Sequence, residues 1–261
     1  MKSVISLLSA AALGAAMLLS PGVAHAAAPN YVALGDSYAA GVGTRTYISS
    51  SGNCQRSTKA YAYLDAARIG ANLTFVACSG AKVADVTANQ LPSVTSSAGI
   101  VSVQVGGNDA GFSSVITECA KPSWLGDCST AVANAQAIIN NTLPGRLNTL
   151  YSSIKSRASA AKVVVVGYPR LFNGTDCNAG TFFSPDEMTK LNATADLLNS
   201  KVSAAASAAG FAFVNPTSAF IGHAVCGNPE WINGLSNPVT ESYHPNVNGQ
   251  AAYANLVEPA L

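Results

Sequence analysis

The chain of 261 residues is 49% hydrophobic and only 10% charged, with 14 Lys and Arg against 13 Asp and Glu. That balance, without any block of basic residues, argues against nucleic acid or a strongly anionic surface as a partner. The length suits one α/β domain with a full core, and neither a linker nor an internal repeat interrupts it.

Residues 1–26 read as a secretory signal. Lys2 supplies the charged start, residues 4–19 the apolar stretch, and Ala24-His25-Ala26 a small-residue cleavage site. The apolar stretch falls short of the ~20 residues of a membrane span and ends in Ser20-Pro21-Gly22. The reading is of a secreted, extracellular protein whose folded domain is residues 27–261. Lys2 is the leader's single charge, so acid and base balance in that domain.

Five apolar runs follow as predicted strands, at residues 31–34, 73–77, 100–105, 162–166 and 211–214. They are continuous rather than alternating, which suits a parallel sheet covered on both faces. Stretches of helical composition lie between them at 61–71, 83–90, 130–158 and 185–209. Pro144 kinks or splits the third. Ser184-Pro185-Asp186-Glu187 specifies the start of the fourth, with Ser184 as cap and Glu187 reaching back. The alternation predicts a three-layer, doubly wound α/β/α sandwich around a central parallel sheet of about five strands, flavodoxin-like.

Four motifs sit on this framework. Gly35-Asp36-Ser37 follows the first strand, Cys78-Ser79-Gly80-Ala81 the second and Gly106-Gly107-Asn108-Asp109 the third, while Tyr243-His244-Pro245 lies near the end. Each alone also reads as an ordinary turn. Together they bring three segments to one sheet edge, where an open α/β sheet binds its ligands, and add an imidazole. That set supplies a nucleophile (Ser37), a base (His244) and candidate oxyanion donors, the requirements of ester hydrolysis by serine. Asp36 and Asp109 read as braces for their turns, and His223, in a loop beside Cys226, carries no motif.

The chain resembles the SGNH hydrolases, also called the GDSL lipase and esterase family, whose four naming residues correspond to Ser37, Gly80, Asn108 and His244. The likeness covers the whole of residues 27–261. It extends to small secreted bacterial lipases and sn-1-specific phospholipases with three disulfides, through the seven residues 35–41 and the six cysteines. It implies an oxyanion hole made by the N–H of Ser37, the N–H of Gly80 and the side-chain amide of Asn108. It also implies sequential disulfides, Cys54 with Cys78, Cys119 with Cys128 and Cys177 with Cys226; the residues alone leave the pairing open. The family's usual acid three residues before the histidine is here Glu241, so His244 is oriented either by Glu241 or by a main-chain carbonyl such as that of Ser242. A thiol nucleophile or zinc site lacks support, since no Cys-x-x-Cys occurs and residues 27–261 hold two histidines. No metal and no cofactor are expected.

The resemblance favours lipid esters as substrate, either triacylglycerol or the sn-1 ester of a phospholipid, met at a lipid-water interface by a monomeric enzyme. Phe112, Trp124, Leu125, Phe220 and Trp231 are candidates for an acyl groove or for core. The rival readings are a carbohydrate acetylesterase on the same fold and a secreted binding module without catalysis.

Overall fold

The computed structural model describes residues 27–261, so the predicted signal segment lies outside the described residues. β1 (Asn30–Gly35) turns sharply into α1 (Ser37–Ala40), and α2 (Tyr61–Ile69) leads to β2 (Asn72–Phe75). Next come α3 (Val83–Asp85), continued by a π-helical turn at Val86–Gln90, and β3 (Ile100–Gln104). α4 (Phe112–Cys119), α5 (Cys128–Asn141) and α6 (Leu143–Arg157) precede β4 (Lys162–Val166). α7 (Pro185–Ala209), β5 (Ala212–Val214) and α8 (Val247–Val257) complete the fold.

All five strands are parallel, in the order β2-β1-β3-β4-β5. The three central strands are buried over nearly their whole length, which is why they read as unbroken apolar runs. Edge strands β2 and β5 are only partly covered. α2 packs on α8, and α6 on α7 and α3, the two groups lying on opposite faces as right-handed crossovers require. The order reverses between β1 and β3, and ligands of this topology sit in the crevice beyond the carboxyl ends of those strands.

The predicted helix at 130–158 divides at Thr142, because Pro144 has no N–H to donate and its ring would clash inside a continuous helix; it starts α6 instead. α7 begins as expected, with Ser184 Oγ accepting from Glu187 N at 3.3 Å and Glu187 Oε2 accepting from Ser184 N at 2.8 Å. The predicted helix at 83–90 keeps one α-turn before widening, and Gln90 turns inward to bond both the N–H and the carbonyl of Gly35, at 2.7 and 2.9 Å. α4 and α8 lie outside the predicted segments. The side chain of Asn246 caps α8, accepting from the N–H groups of Asn248 and Gly249.

The disulfides are Cys54–Cys78, Cys119–Cys128 and Cys177–Cys226. Each ties two segments that are not held by sheet pairing.

Gly35 is where β1 must turn without a side chain. Its φ is +140°, and a Cβ there would lie 2.4 Å from the Gln104 carbonyl and 2.8 Å from Ala39 Cβ. Gly35→Ala therefore costs about 3 kcal/mol, seen as a fall of roughly 6 to 12 °C in the thermal midpoint. An unchanged midpoint would refute this account of the turn.

Candidate active site

Ser37 is the first residue of α1, a single turn whose N-cap is Asp36. Asp36 Oδ1 accepts from Tyr38 N at 2.9 Å and Oδ2 from the Tyr168 hydroxyl at 2.5 Å, so the turn is fixed from both sides. Burial pushes the Asp36 carboxyl up to about 7, against the downward pull of the Tyr168 hydroxyl and the Tyr38 N–H. No sequence motif pointed to Tyr168. It follows β4, its main chain is held by the buried amide of Asn199, and only the sheet order brings it beside Asp36.

His244 comes from the other end of the chain, yet its Nε2 lies 2.8 Å from Ser37 Oγ. Its Nδ1 lies 2.9 Å from the carbonyl of Ser242. A carbonyl can only accept, so Nδ1 carries the proton, and the neutral ring presents the Nε2 lone pair to the Ser37 hydroxyl. Tyr243, just before it, adopts a left-handed φ of 59°, which a bulky side chain takes only when its surroundings enforce it. Here its carbonyl accepts from the Tyr38 hydroxyl at 2.6 Å and its N–H donates to the Asn233 carbonyl at 2.9 Å. The rings of Tyr38 and Phe112 flank the imidazole, at 5.2 and 6.0 Å between centroids. Burial lowers the His244 pKa to about 4, with the Ser242 carbonyl and the nearby Glu241 charge opposing that fall.

Of the two orienting groups the sequence leaves open, the Ser242 carbonyl is the one at the ring. Glu241 does not take the orienting place considered for it. Its buried carboxylate points to the 45–47 loop, where it accepts from Arg45 Nε at 3.0 Å and from the Tyr47 hydroxyl at 2.7 Å. Both oxygens are thus engaged away from Nδ1.

Asn108 lines the same cavity as Ser37, and its Nδ2 donates to the Ala81 carbonyl at 3.1 Å, joining the loop after β3 to the turn that holds Gly80. Gly80 has a φ of +78° and lies on the surface. Among the described residues, the N–H groups of Ser37 and Gly80 donate to no protein acceptor. Asp109 accepts from Val83 N and from Arg146 Nη1, both at 2.9 Å, and so braces its loop. His223 stacks on Trp231 at 3.7 Å and bonds the Pro229 carbonyl, far from these groups in role.

Beside Ser37 opens an apolar cavity of about 670 Å³ between α4, α5 and α7, walled by Phe112, Ile116, Ile139, Leu171, Leu191 and Leu198. Of the five groove candidates, Phe112 lies in this wall. Phe220 is buried against Trp231 on another side, while Trp124 and Leu125 are exposed. Among the described residues no cluster of three or more His, Cys, Asp and Glu side chains is placed to hold a metal.

Residues 33–252 match the model of the GDSL-like Lipase/Acylhydrolase family. The chain belongs to that family. This GDSL-family protein is therefore a carboxylic ester hydrolase by descent. It is 43% identical to a lipase of Streptomyces rimosus, covering 92% of this chain and 94% of the relative. The solved structure of the extracellular lipase from that organism superposes with a TM-score of 0.84 at 44% identity, covering 90% of this chain and 100% of the other. A phospholipase A1 from Streptomyces albidoflavus gives a TM-score of 0.85 at 42% identity, with the same coverage. An acetylxylan esterase from Geobacillus stearothermophilus, at 14% identity and a TM-score of 0.54 over 89% of this chain and 94% of that one, shares the fold alone.

The buried imidazole yields a direct test. By NMR the His244 ring should titrate near pH 4 rather than near the free value of about 6.5. Folding favours its neutral form, so its contribution to stability is complete above the free value and is lost as pH falls through that window. A midpoint above about 6 would contradict the burial argument.

Proposed function

We propose that this GDSL-family hydrolase is a secreted enzyme that releases fatty acids from lipid esters, triacylglycerol or the sn-1 ester of a phospholipid, through an acyl-enzyme on Ser37. The observation that carries this reading is the 2.8 Å contact of Ser37 Oγ with His244 Nε2 at the edge of an apolar cavity. In acylation, Nε2 takes the hydroxyl proton as Oγ attacks the ester carbonyl carbon, and the electron pair of the carbonyl moves onto its oxygen. The free N–H groups of Ser37 and Gly80 and the second N–H of the Asn108 amide receive that oxyanion. As the intermediate collapses, the departing alcohol oxygen takes the proton from His244. A water then repeats the sequence and frees the acid.

Because His244 is neutral over most of the pH range, it is ready to accept that proton without first losing one. The Ser242 carbonyl holds the ring's tautomer throughout. The lipid preference is supported by the apolar walls of the cavity, and by the activities carried in the names of the two Streptomyces relatives. Secretion is supported by the signal-like residues 1–26 and by the extracellular description of the S. rimosus lipase. The carbohydrate acetylesterase reading finds no polar wall suited to a sugar, and the catalytic contact argues against a bare binding module.

Ser37→Ala and His244→Ala should abolish both ester hydrolysis and labelling by a fluorophosphonate. Asn108→Ala should lower kcat by about 100- to 1000-fold. Glu241→Gln should lose far less than His244→Ala. Equal losses from the last two substitutions would reinstate the carboxylate as an essential group.

Acyl length separates the substrate classes. On synthetic esters, kcat/KM should climb from about two to about eight carbons by up to ~4-fold per methylene, the equivalent of ~0.8 kcal/mol for each buried CH₂. Activity confined to acetyl esters, with release of acetate from acetylated xylan, would give the assignment to the acetylesterase.

A further inference from the structure

Resting on the lipid-ester reading, the further inference concerns how the protein meets a lipid surface. The helices beside the cavity do not stop at the sheet edge. Asn199 of α7 bonds the main chain of Tyr168 at the end of β4, and Pro185 lies fourteen residues earlier, so the first half of α7 stands about 20 Å beyond that edge. Leu143 packs against Gly106 at the end of β3, which places α5 in the same overhang beside α7. α4 rises from the Asn108 loop and α5 returns, and the Cys119–Cys128 disulfide closes the pair at the top.

The top of this overhang is apolar and uncovered. Trp124 is 79% exposed and Leu125 67%, side by side in the loop between α4 and α5. Phe182, 54% exposed, joins them, since its N–H donates to the carbonyl of Ala120. Leu235 is anchored to the same 177–183 loop through Asn178, and Val239 is exposed in the turn that leads to Ser242 and His244. The loop between the helices is held in one shape, with the N–H groups of Leu125 and Gly126 both donating to the Pro122 carbonyl.

Neighbouring charges are already matched. Lys121 pairs with Glu118, Lys190 with Asp186, and Asp127 accepts from Thr130 N at the start of α5. The tip offers no free cation to an anionic partner and no open strand edge to a peptide. A hydrocarbon layer makes no demand for either, and an indole at its boundary keeps its N–H in the hydrated zone.

We infer that Trp124, Leu125 and Phe182, flanked by Leu235 and Val239, form a fixed apolar tip that inserts into an electrically neutral lipid surface and sets the cavity mouth against it. Attachment is by insertion rather than by charge. The tip and the Ser37–His244 pair are therefore separable, one serving lipid aggregates and the other any ester.

The test uses the full secreted chain and vesicles of dioleoylphosphatidylcholine. Two tryptophans occur, Trp124 and Trp231, so Trp231→Phe leaves Trp124 as reporter. Vesicles should shift its emission to the blue. The double variant Trp124→Ala, Leu125→Ala and, separately, Phe182→Ser should weaken vesicle binding, the double variant by at least about tenfold. Hydrolysis of vesicle phospholipid should fall with it, while hydrolysis of a dissolved short-chain ester stays within about twofold of the parent. Binding should change little between about 50 and 500 mM salt.

Unchanged vesicle binding and vesicle hydrolysis in these variants would overturn the inference, as would a steep loss of binding with salt. So would a parent that sediments as a dimer and a double variant that sediments as a monomer, for then a second copy covers the tip. Absence of hydrolysis on every ester would instead count against the proposed activity, with the emission shift still reading the docking.

Discussion

A single hydrogen bond, from His244 Nδ1 to the carbonyl of Ser242, determines which nitrogen of the imidazole faces Ser37. With a carboxylate at Nδ1, the developing imidazolium would meet a full negative charge. A carbonyl supplies only a dipole, so the proposed chemistry leans more on the oxyanion side, where two unengaged N–H groups and an amide converge from three loops. Fixing that carbonyl is the task of its surroundings. Tyr38 and Asn233 hold Tyr243 in a backbone conformation that its side chain resists, and Glu241, tied to Arg45 and Tyr47, anchors the turn just before.

The sheet contributes by placement. β1 and β3 are neighbours with diverging connections, so Ser37 and Asn108 emerge on either side of the crevice, and Gly35 lets the chain turn at once beneath them. Tyr168, delivered by β4, reaches across to Asp36 and locks the nucleophile's turn to a third strand. Strands far apart in sequence thereby share one short network.

Much of this was legible in the chain. Unbroken Val-rich runs betray strands covered on both faces, and Ser184 with Glu187 marks a helix start through groups only one turn apart. α4 escaped notice because its N-cap, Gly111, donates no side chain and its apolar positions merge with the loop before it. The boundary of β2 moved because Val76 and Ala77 leave the ladder to bond the Ala33 carbonyl instead. In the site, Ser37, Gly80, Asn108 and His244 were readable as local motifs. Tyr168 and the Arg45–Glu241–Tyr47 cluster were not, because such partners are defined by contact across many residues rather than by spacing. The choice between Glu241 and Ser242 turned on the direction of one side chain, which no pattern of residue types encodes.

The serine and the histidine are separated by 207 positions. A polypeptide still being threaded through a membrane possesses the first long before the second. Until the final helix has docked behind the imidazole, no base exists, and a partly exported chain is harmless to the lipids it is crossing. Chain order thus gives the producing cell a safeguard that needs no inhibitory propeptide.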